Sequence, residues 1–322
     1  MLIVVIKENK MKNFRCVFPY ISKTAVPENI NELLIERAFD GLSDCEREGK
    51  GWARIGDERM LTVDGKYLFR YFASKRRPDQ LAVQRLLNER TDEVVEDGRE
   101  VTPELMEEMR FQAENDVMKY SPISSTAIYI LMWPARRLLL VSGGTASKCE
   151  DALSFLRNTL GNLHAMPWGN SHFTSTAVTK NMTEGNSIYK LPPMLAISPY
   201  GKTLFTGEDT SLKITLDGVS NDTDDARNIL SGMTARSVEM SLYKRPDNGQ
   251  IENLANFNLV MPPNGNVHLK SFDYDDDMER DDLSQALIAE MHLVTNYTHQ
   301  ILSGLEDFIG VDLEDNSLTP QE

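Results

Sequence analysis

Seven acids gather at Asp273, Asp275, Asp276, Asp277, Glu279, Asp281 and Asp282, and carboxylates at that density could hold a divalent cation or form a two-metal nuclease centre. The spacing argues for something plainer. A calcium-binding helix-loop-helix needs a glycine in mid-loop and a spaced terminal Glu, and this run has neither. Acids ahead of a helix complement its N-terminal dipole and keep the surface solvated. Ser142-Gly143-Gly144-Thr145-Ala146-Ser147-Lys148 stands where a phosphate-binding loop would. That motif demands Gly directly before the Lys and a hydroxyl after it, and Ser147 and Cys149 occupy those places, so a capped helix start is the better reading. Cys16, Cys45 and Cys149 are far apart and form no C-x-x-C pair, which points to reduced, mostly buried thiols. Of five scattered histidines the nearest pair, His292 and His299, lacks a carboxylate at metal-ligand spacing. No G-x-S-x-G, H-E-x-x-H or Cys/His grouping is present. The expectation is a protein without catalytic residues, metal or cofactor.

The basic residues are more suggestive. Arg70 alternates with Tyr67, Phe69, Tyr71 and Phe72, and Lys75, Arg76 and Arg77 follow. Arg85 and Arg90 extend the series, and Arg136-Arg137, Lys148 and Arg157 come later. Cations interleaved with aromatics occur on nucleic-acid platforms, although charges at strand ends are commonly just solvated, and nothing here dictates a groove or a base.

The formal charge of −15 is unevenly placed: residues 271–322 hold fourteen acids against Arg280 alone, while residues 1–270 sum to −2 and residues 1–90 to +4. A near-neutral body can present a basic face, so a polyanionic partner is not excluded. The composition, 41% hydrophobic and 26% charged over 322 residues, is that of a globular chain long enough for two cores. No apolar run approaches the roughly 18 residues of a membrane span, and Met1 to Ile6 is too short for a signal-peptide core. A cytoplasmic protein is expected.

The elements that must position these residues read as α+β. Lys12 to Phe18 is strand-like, and Glu28 to Phe39 is an amphipathic helix. Met60–Val63 and Tyr67–Phe72 form a hairpin across Asp64-Gly65, a pair that tolerates positive φ. Two helices over Pro78–Arg90 and Pro103–Met118 each begin with Pro in the first turn, with a polar turn between them at Thr91 to Gly98. Ala127–Trp133 and Arg137–Val141 are strands, and Ser147 to Glu150 has capping-box spacing for a helix that stops at Gly161. Strands near Ser237–Tyr243, Ile251–Met261 and Val267–Phe272 turn at Asn248-Gly249 and Asn264-Gly265. Asp282–Ile309 is one long helix of about 40 Å, with Leu283, Leu287, Val294, Tyr297, Ile301, Leu305 and Phe308 along a stripe. The expected division is a central α+β domain of residues 11–75 and 126–167, a helical arm or tip of residues 76–125, and a C-terminal α+β domain of residues 168–322. Residues 1–10 read as an N-terminal extension.

Several of these segments resemble the RdgC family of recombination-associated proteins. They are Gly51-Trp52, the Tyr67-to-Lys75 strand running into a helical arm, Ile130-Leu131-Met132-Trp133 with Leu138-Leu139-Leu140-Val141, and Thr145-Ala146-Ser147-Lys148-Cys149-Glu150-Asp151-Ala152-Leu153 with Leu156-Arg157 and Leu160-Gly161. Order and spacing match from about Lys12 to Pro167 and again from Asp273 through the terminal helix, whereas residues 168–235 do not align. The resemblance also sets Met11-Lys12-Asn13-Phe14 at the family's start, so Met1 to Lys10 is either an extension or a misassigned initiation.

The resemblance implies a ring-shaped homodimer that encloses double-stranded DNA in a basic hole and binds with little sequence preference, single strands being left open. It further implies a nucleoid-associated protein that limits the recombinase RecA by occupying its DNA. Phosphate contacts would give affinity independent of sequence. The expected DNA contacts are Arg70, Lys75, Arg76, Arg77, Arg85, Arg99, Arg136, Lys148, Lys244 and Arg245, and the expected subunit contacts are Pro122, Ile123, Ser125, Tyr297 and Ile301. The family's arm carries an Arg before a Lys-rich helix. Here Arg99 holds the first position, but Glu104, Glu107 and Glu108 stand in the helix, and Ser121-Pro122-Ile123-Ser124-Ser125 keeps the Pro and loses an aromatic. Weaker DNA affinity than that of a basic member is therefore expected. Two rival readings are a protein-interaction module using the acidic C-terminal region, as a DNA mimic or a binder of a basic partner, and a metal-dependent nuclease built on the aspartate cluster.

Overall fold

Asp64 and Gly65 both take left-handed backbone angles, φ 49° and 69°, which is what a two-residue hairpin turn of this kind demands. The turn lies within a computed structural model that describes residues 12–43, 46–184, 187–207, 211–220, 223, 228, 230–244, 251–274 and 283–309. The chain begins with β1 (Cys16–Ser22), α1 (Ile30–Glu36), β2 (Glu48–Trp52), β3 (Met60–Val63) and β4 (Lys66–Arg76). Helices α2 (Gln80–Glu96) and α3 (Pro103–Met118) follow, then β5 (Ile123–Trp133), a single 3₁₀ turn (Pro134–Arg136), β6 (Leu138–Ser142), α4 (Ala146–Leu160) and β7 (Ala165–Pro167). The remainder is α5 (Ser171–Thr183), β8 (Leu195–Ile197), β9 (Thr203–Thr206), β10 (Lys213–Leu216), β11 (Thr234–Lys244), β12 (Glu252–Val260), β13 (His268–Tyr274) and α6 (Leu283–Ile309). The result is a mixed α+β protein with a large antiparallel sheet and a long final helix.

The chain forms two compact units: one of Met1–Pro27, Leu61–Phe69 and Tyr129–Glu322, the other of Glu28–Met60 and Arg70–Ile128. In the first unit the strand order is β10-β9-β11-β12-β13-β1-β6-β5, with the first half of β4 next. Strand β6 is buried along its whole length, as its Leu-Leu-Leu-Val run predicts for a central strand. Register sets Val17 opposite Ser142 and Ile21 opposite Leu138, and Trp133 opposite Leu138 on the other side. Helix α6 buries Leu287, Met291, Val294, Ile301, Leu305 and Phe308. It is also tied down by two buried acids. Glu290 accepts from the Asn13 backbone and side-chain amides, both at 2.7 Å, and from the Tyr274 hydroxyl. Glu306 accepts from the Trp168 indole at 2.6 Å.

In the second unit β2 pairs with the second half of β4, Glu48 opposite Lys75 and Trp52 opposite Tyr71. Gly49 and Gly51 face Phe39 so closely that a Cβ would come within 2.4 and 2.6 Å of its side chain, so only glycine admits that aromatic. Helices α2 and α3 enclose a small core of Leu87, Val94 and Met109, with Val101, Leu105 and Met106 packed against it. Asp79 and Thr102 cap them, accepting from the amides of Leu81 and Leu105.

Some boundaries differ from the sequence expectation. Strand β1 starts at Cys16 rather than Lys12. Helix α2 continues to Glu96, so the expected polar turn at Thr91 is helical and the chain turns at Asp97-Gly98, with Gly98 at φ 70°. Helix α4 is capped by Thr145, whose hydroxyl accepts from the Lys148 amide, and not by Ser147. The stop at Gly161, φ 74°, is as expected. Residues 1–11, Cys45, Asn248-Gly249 and the last dozen residues lie outside the described residues. No helix among the described residues is long and apolar enough to cross a membrane.

Candidate nucleic-acid interface

Several cations of the second unit are already balanced by carboxylates. On the β2–β4 ribbon Lys75 pairs with Glu48 at 2.9 Å, and Asp40 holds Arg59 at 2.7 Å. On the helical pair Arg90 meets Asp116 at 2.5 Å, Arg99 meets Asp97 at 3.0 Å and Arg110 approaches Glu114 at 4.0 Å. Residues 80–118 hold eleven acids against four arginines. Each carboxylate beside a guanidinium offsets part of what a phosphate would gain there.

Arg70 donates to the Arg54 carbonyl at 3.2 Å and lies 5.7 Å from the Phe72 ring, so the cation-aromatic alternation read from the sequence is a packing feature of the strand. Arg76 is only 6% exposed. That burial sets it apart from Lys75 and Arg77 on either side, which are exposed. Arg77 and Arg85 are exposed, with no ion-pair partner among the described residues.

The first unit differs at the connection from β5 to β6. The chain passes through Trp133, the 3₁₀ turn and Arg137, whose φ of 51° is left-handed. For a residue with a Cβ that conformation costs about 1–2 kcal/mol. Arg136 and Arg137 are both exposed. The Arg136 guanidinium lies 5.8 Å from the Trp133 ring and the Lys66 ammonium 4.8 Å from it. His299, from α6, contacts the same ring at 5.7 Å. Lys66 is turned inward, 5% exposed, and reaches Nδ1 of His292 at 3.2 Å, while Nε2 of His292 faces Asp64 at 3.7 Å. Burial, helped by Arg136, holds the His299 imidazole below its ordinary range. The two histidines that are too poorly spaced for a metal thus serve one aromatic-cationic corner.

The other expected contacts are dispersed. Lys148 is exposed in the first turn of α4, and Lys244 is exposed at the end of β11, opposite Glu252. Arg245 lies outside the described residues. Pro122, Ile123 and Ser125 are exposed at the start of β5, and Ser125 Oγ lies 2.9 Å from Ser74 Oγ. Tyr297 is half-buried on α6. Ile301 is 0% exposed. Its own chain already covers it. Sequence reasoning missed Lys23, Lys66 and Trp133. The signal it could have used is the absence of acids: none lies between Glu8 and Glu28, and none between Asp116 and Glu150.

Other chemistry recedes in the geometry. Gly143 sits so close to Cys149 that a Cβ would meet its sulfur at 2.5 Å, which accounts for that glycine by packing. Burial pushes the Cys149 thiol up to about 12 and also raises Cys16, so both are poor thiolates at neutral pH. The Tyr20 hydroxyl, raised by burial, donates to Glu150 at 2.8 Å. Of the aspartate cluster only Asp273 is described, and it pairs with Lys12 at 2.5 Å. Asp275 to Asp282 lie outside the described residues. No group of three His, Cys, Asp or Glu placed to hold a metal occurs among the described residues. A cavity beside Trp168, Asn170, Phe173 and Glu306 measures about 10 Å³, room for about one water.

Exposed cations on strand ends suit an extended anion better than a small molecule in a pocket. Residues 11–233 match the family model described as "Putative exonuclease, RdgC". The chain belongs to the RdgC family. That membership suggests a recombination-associated DNA-binding protein.

Proposed function

We propose that the protein binds duplex DNA without sequence preference and without cutting it. In this reading it acts as a ring-shaped homodimer around the duplex and limits RecA-type recombinases by occupying their substrate. Membership in the RdgC family supports the DNA partner. The observation that supports the non-specific mode is the exposed Arg136 and Arg137 beside a sheet, without an ion-pair partner among the described residues. Non-specific phosphate binding is driven by counterion release, so affinity must fall steeply with salt.

The test is a titration of the full chain against two unrelated duplexes at rising salt, with and without Mg²⁺, alongside a solution scattering profile. Equal affinities, a salt slope of at least about two, intact duplexes and an annular dimer are the expected results. A flat salt response ends the phosphate reading. Shortened duplexes in Mg²⁺ establish a nuclease, and a monomeric profile removes the ring.

A further inference from the structure

One end of the first unit's sheet gathers cations from two distant, acid-free stretches of chain. The Ser22 amide donates to the Arg137 carbonyl at 2.7 Å, and Ile21 is opposite Leu138. Lys23 therefore leaves the sheet beside Arg136 and Arg137. All three side chains are exposed, and among the described residues none has an ion-pair partner. Pairing of β1 with β6 thus joins +1 from a stretch without acids to +2 from another.

The backbone adds a second observation. At a φ of 51° a glycine would sit without strain, yet the chain keeps an arginine in this turn. The third is Trp133. Its ring contacts Arg136, inward-turned Lys66 and His299, so the surface on which the Arg136 guanidinium rests is itself held from two other elements. Guanidinium groups fixed in this way are suited to phosphate oxygens, which they meet with a planar fork.

We propose that Lys23, Arg136 and Arg137 form a clamp for neighbouring phosphates of a nucleic-acid backbone, with Trp133 as the residue that positions Arg136. The proposal rests on the DNA-binding reading and specifies where on the chain the backbone is gripped. It requires no base contact, so the clamp is indifferent to sequence.

Arg137→Gly is the informative variant, because it relieves the left-handed turn while removing the charge. In the full chain it should unfold at the same temperature as the wild type or higher, yet bind duplex DNA roughly three- to tenfold more weakly near 0.15 M salt, with a salt slope smaller by about one. Lys23→Gln should match it in binding, and the pair together should lower the slope by about two. Trp133→Leu should weaken binding with the slope retained, and Trp133→Phe should restore it. Wild-type binding with an ordinary salt slope, and variants indistinguishable from it, would overturn the clamp and leave the DNA reading intact. Absence of salt-dependent binding by the wild type overturns both. Weaker binding by Arg137→Gly accompanied by a lower unfolding temperature overturns the assignment to Arg137, since the side chain would then be structural.

Discussion

The α2–α3 segment and the β5–β6 connection both carry arginines, four and two respectively, and all of the first group but Arg85 are used in the opposite way to the second. On the helices Arg90, Arg99 and Arg110 each face a carboxylate within 4.0 Å, in a segment where acids outnumber bases by seven. At the strand connection Arg136 and Arg137 stand in the open, one resting on an aromatic ring and the other in a strained turn. Counting cations would assign the interface to the helices. Counting the carboxylates beside them favours the connection as the proposed interface, because a phosphate gains little from a guanidinium whose field an acid already offsets. Exposed pairs of this sort add little to stability. Their effect is to make a surface that carries arginines and is nonetheless net acidic.

The sharpest way to break this comparison is to open the helices. Leu87 lies at the centre of their shared core with Val94 and Met109, and Leu87→Ala should cost the pair about 2–5 kcal/mol, read as faster amide exchange across residues 80–118. Duplex affinity should change by less than about twofold. Binding lost in step with helix opening would move the phosphate contacts onto the helical pair. A smaller effect compares single cations. Arg136→Gln should weaken duplex binding by roughly three- to tenfold and lower the salt slope by about one, whereas Lys75→Gln, already opposed by Glu48 at 2.9 Å, should stay within about twofold. The reverse ranking would place the interface on the β2–β4 ribbon.

Much of the fold was legible because local chemistry and tertiary need coincide. The Asp64-Gly65 turn, the start of α3 at Pro103, the stop at Gly161 and the stripe of α6 each follow from one residue type at one position. Helix α5 was illegible for the opposite reason. Its sequence, Ser-His-Phe-Thr-Ser-Thr-Ala-Val-Thr, has low intrinsic helicity, and the helix depends on burying Thr174, Ala177 and Val178, while Thr174, Thr176, Thr179 and Thr183 satisfy their hydroxyls on carbonyls four residues back. The small face so formed lets Thr179 accept from the Ala235 amide of β11, a contact no local pattern announces. The proposed clamp was half legible. Arg136 stood out as a basic residue, but its platform, Trp133, stood only as the end of a strand, and Lys23 carried no local signal that pairing of β1 with β6 would bring it near. The burial of Arg76 was not legible, because its place in a basic run says nothing of the side of the strand it occupies.

The finest test of the corner is the titration of His299, whose proton affinity reports what surrounds it. Burial holds the imidazole below its ordinary value near 6.5, and the nearby Arg136 guanidinium adds to the effect. Since the folded value is the depressed one, the unfolded chain takes up the proton first as pH falls. The stability contributed by neutral His299 is therefore present above the ordinary imidazole range and is lost as pH drops through it toward the folded value. Arg136→Gln removes the smaller of the two causes and leaves burial. The His299 signals in an NMR titration should consequently move their midpoint upward while staying below the ordinary value, and the acid side of the stability profile should flatten slightly. A control at Arg137, the neighbouring position that makes no contact with the Trp133 ring among the described residues, should leave the midpoint where it was. If Arg136→Gln leaves it unmoved as well, the guanidinium does not rest on Trp133 in solution, and the fixed geometry that distinguishes this connection from the neutralised helices is lost.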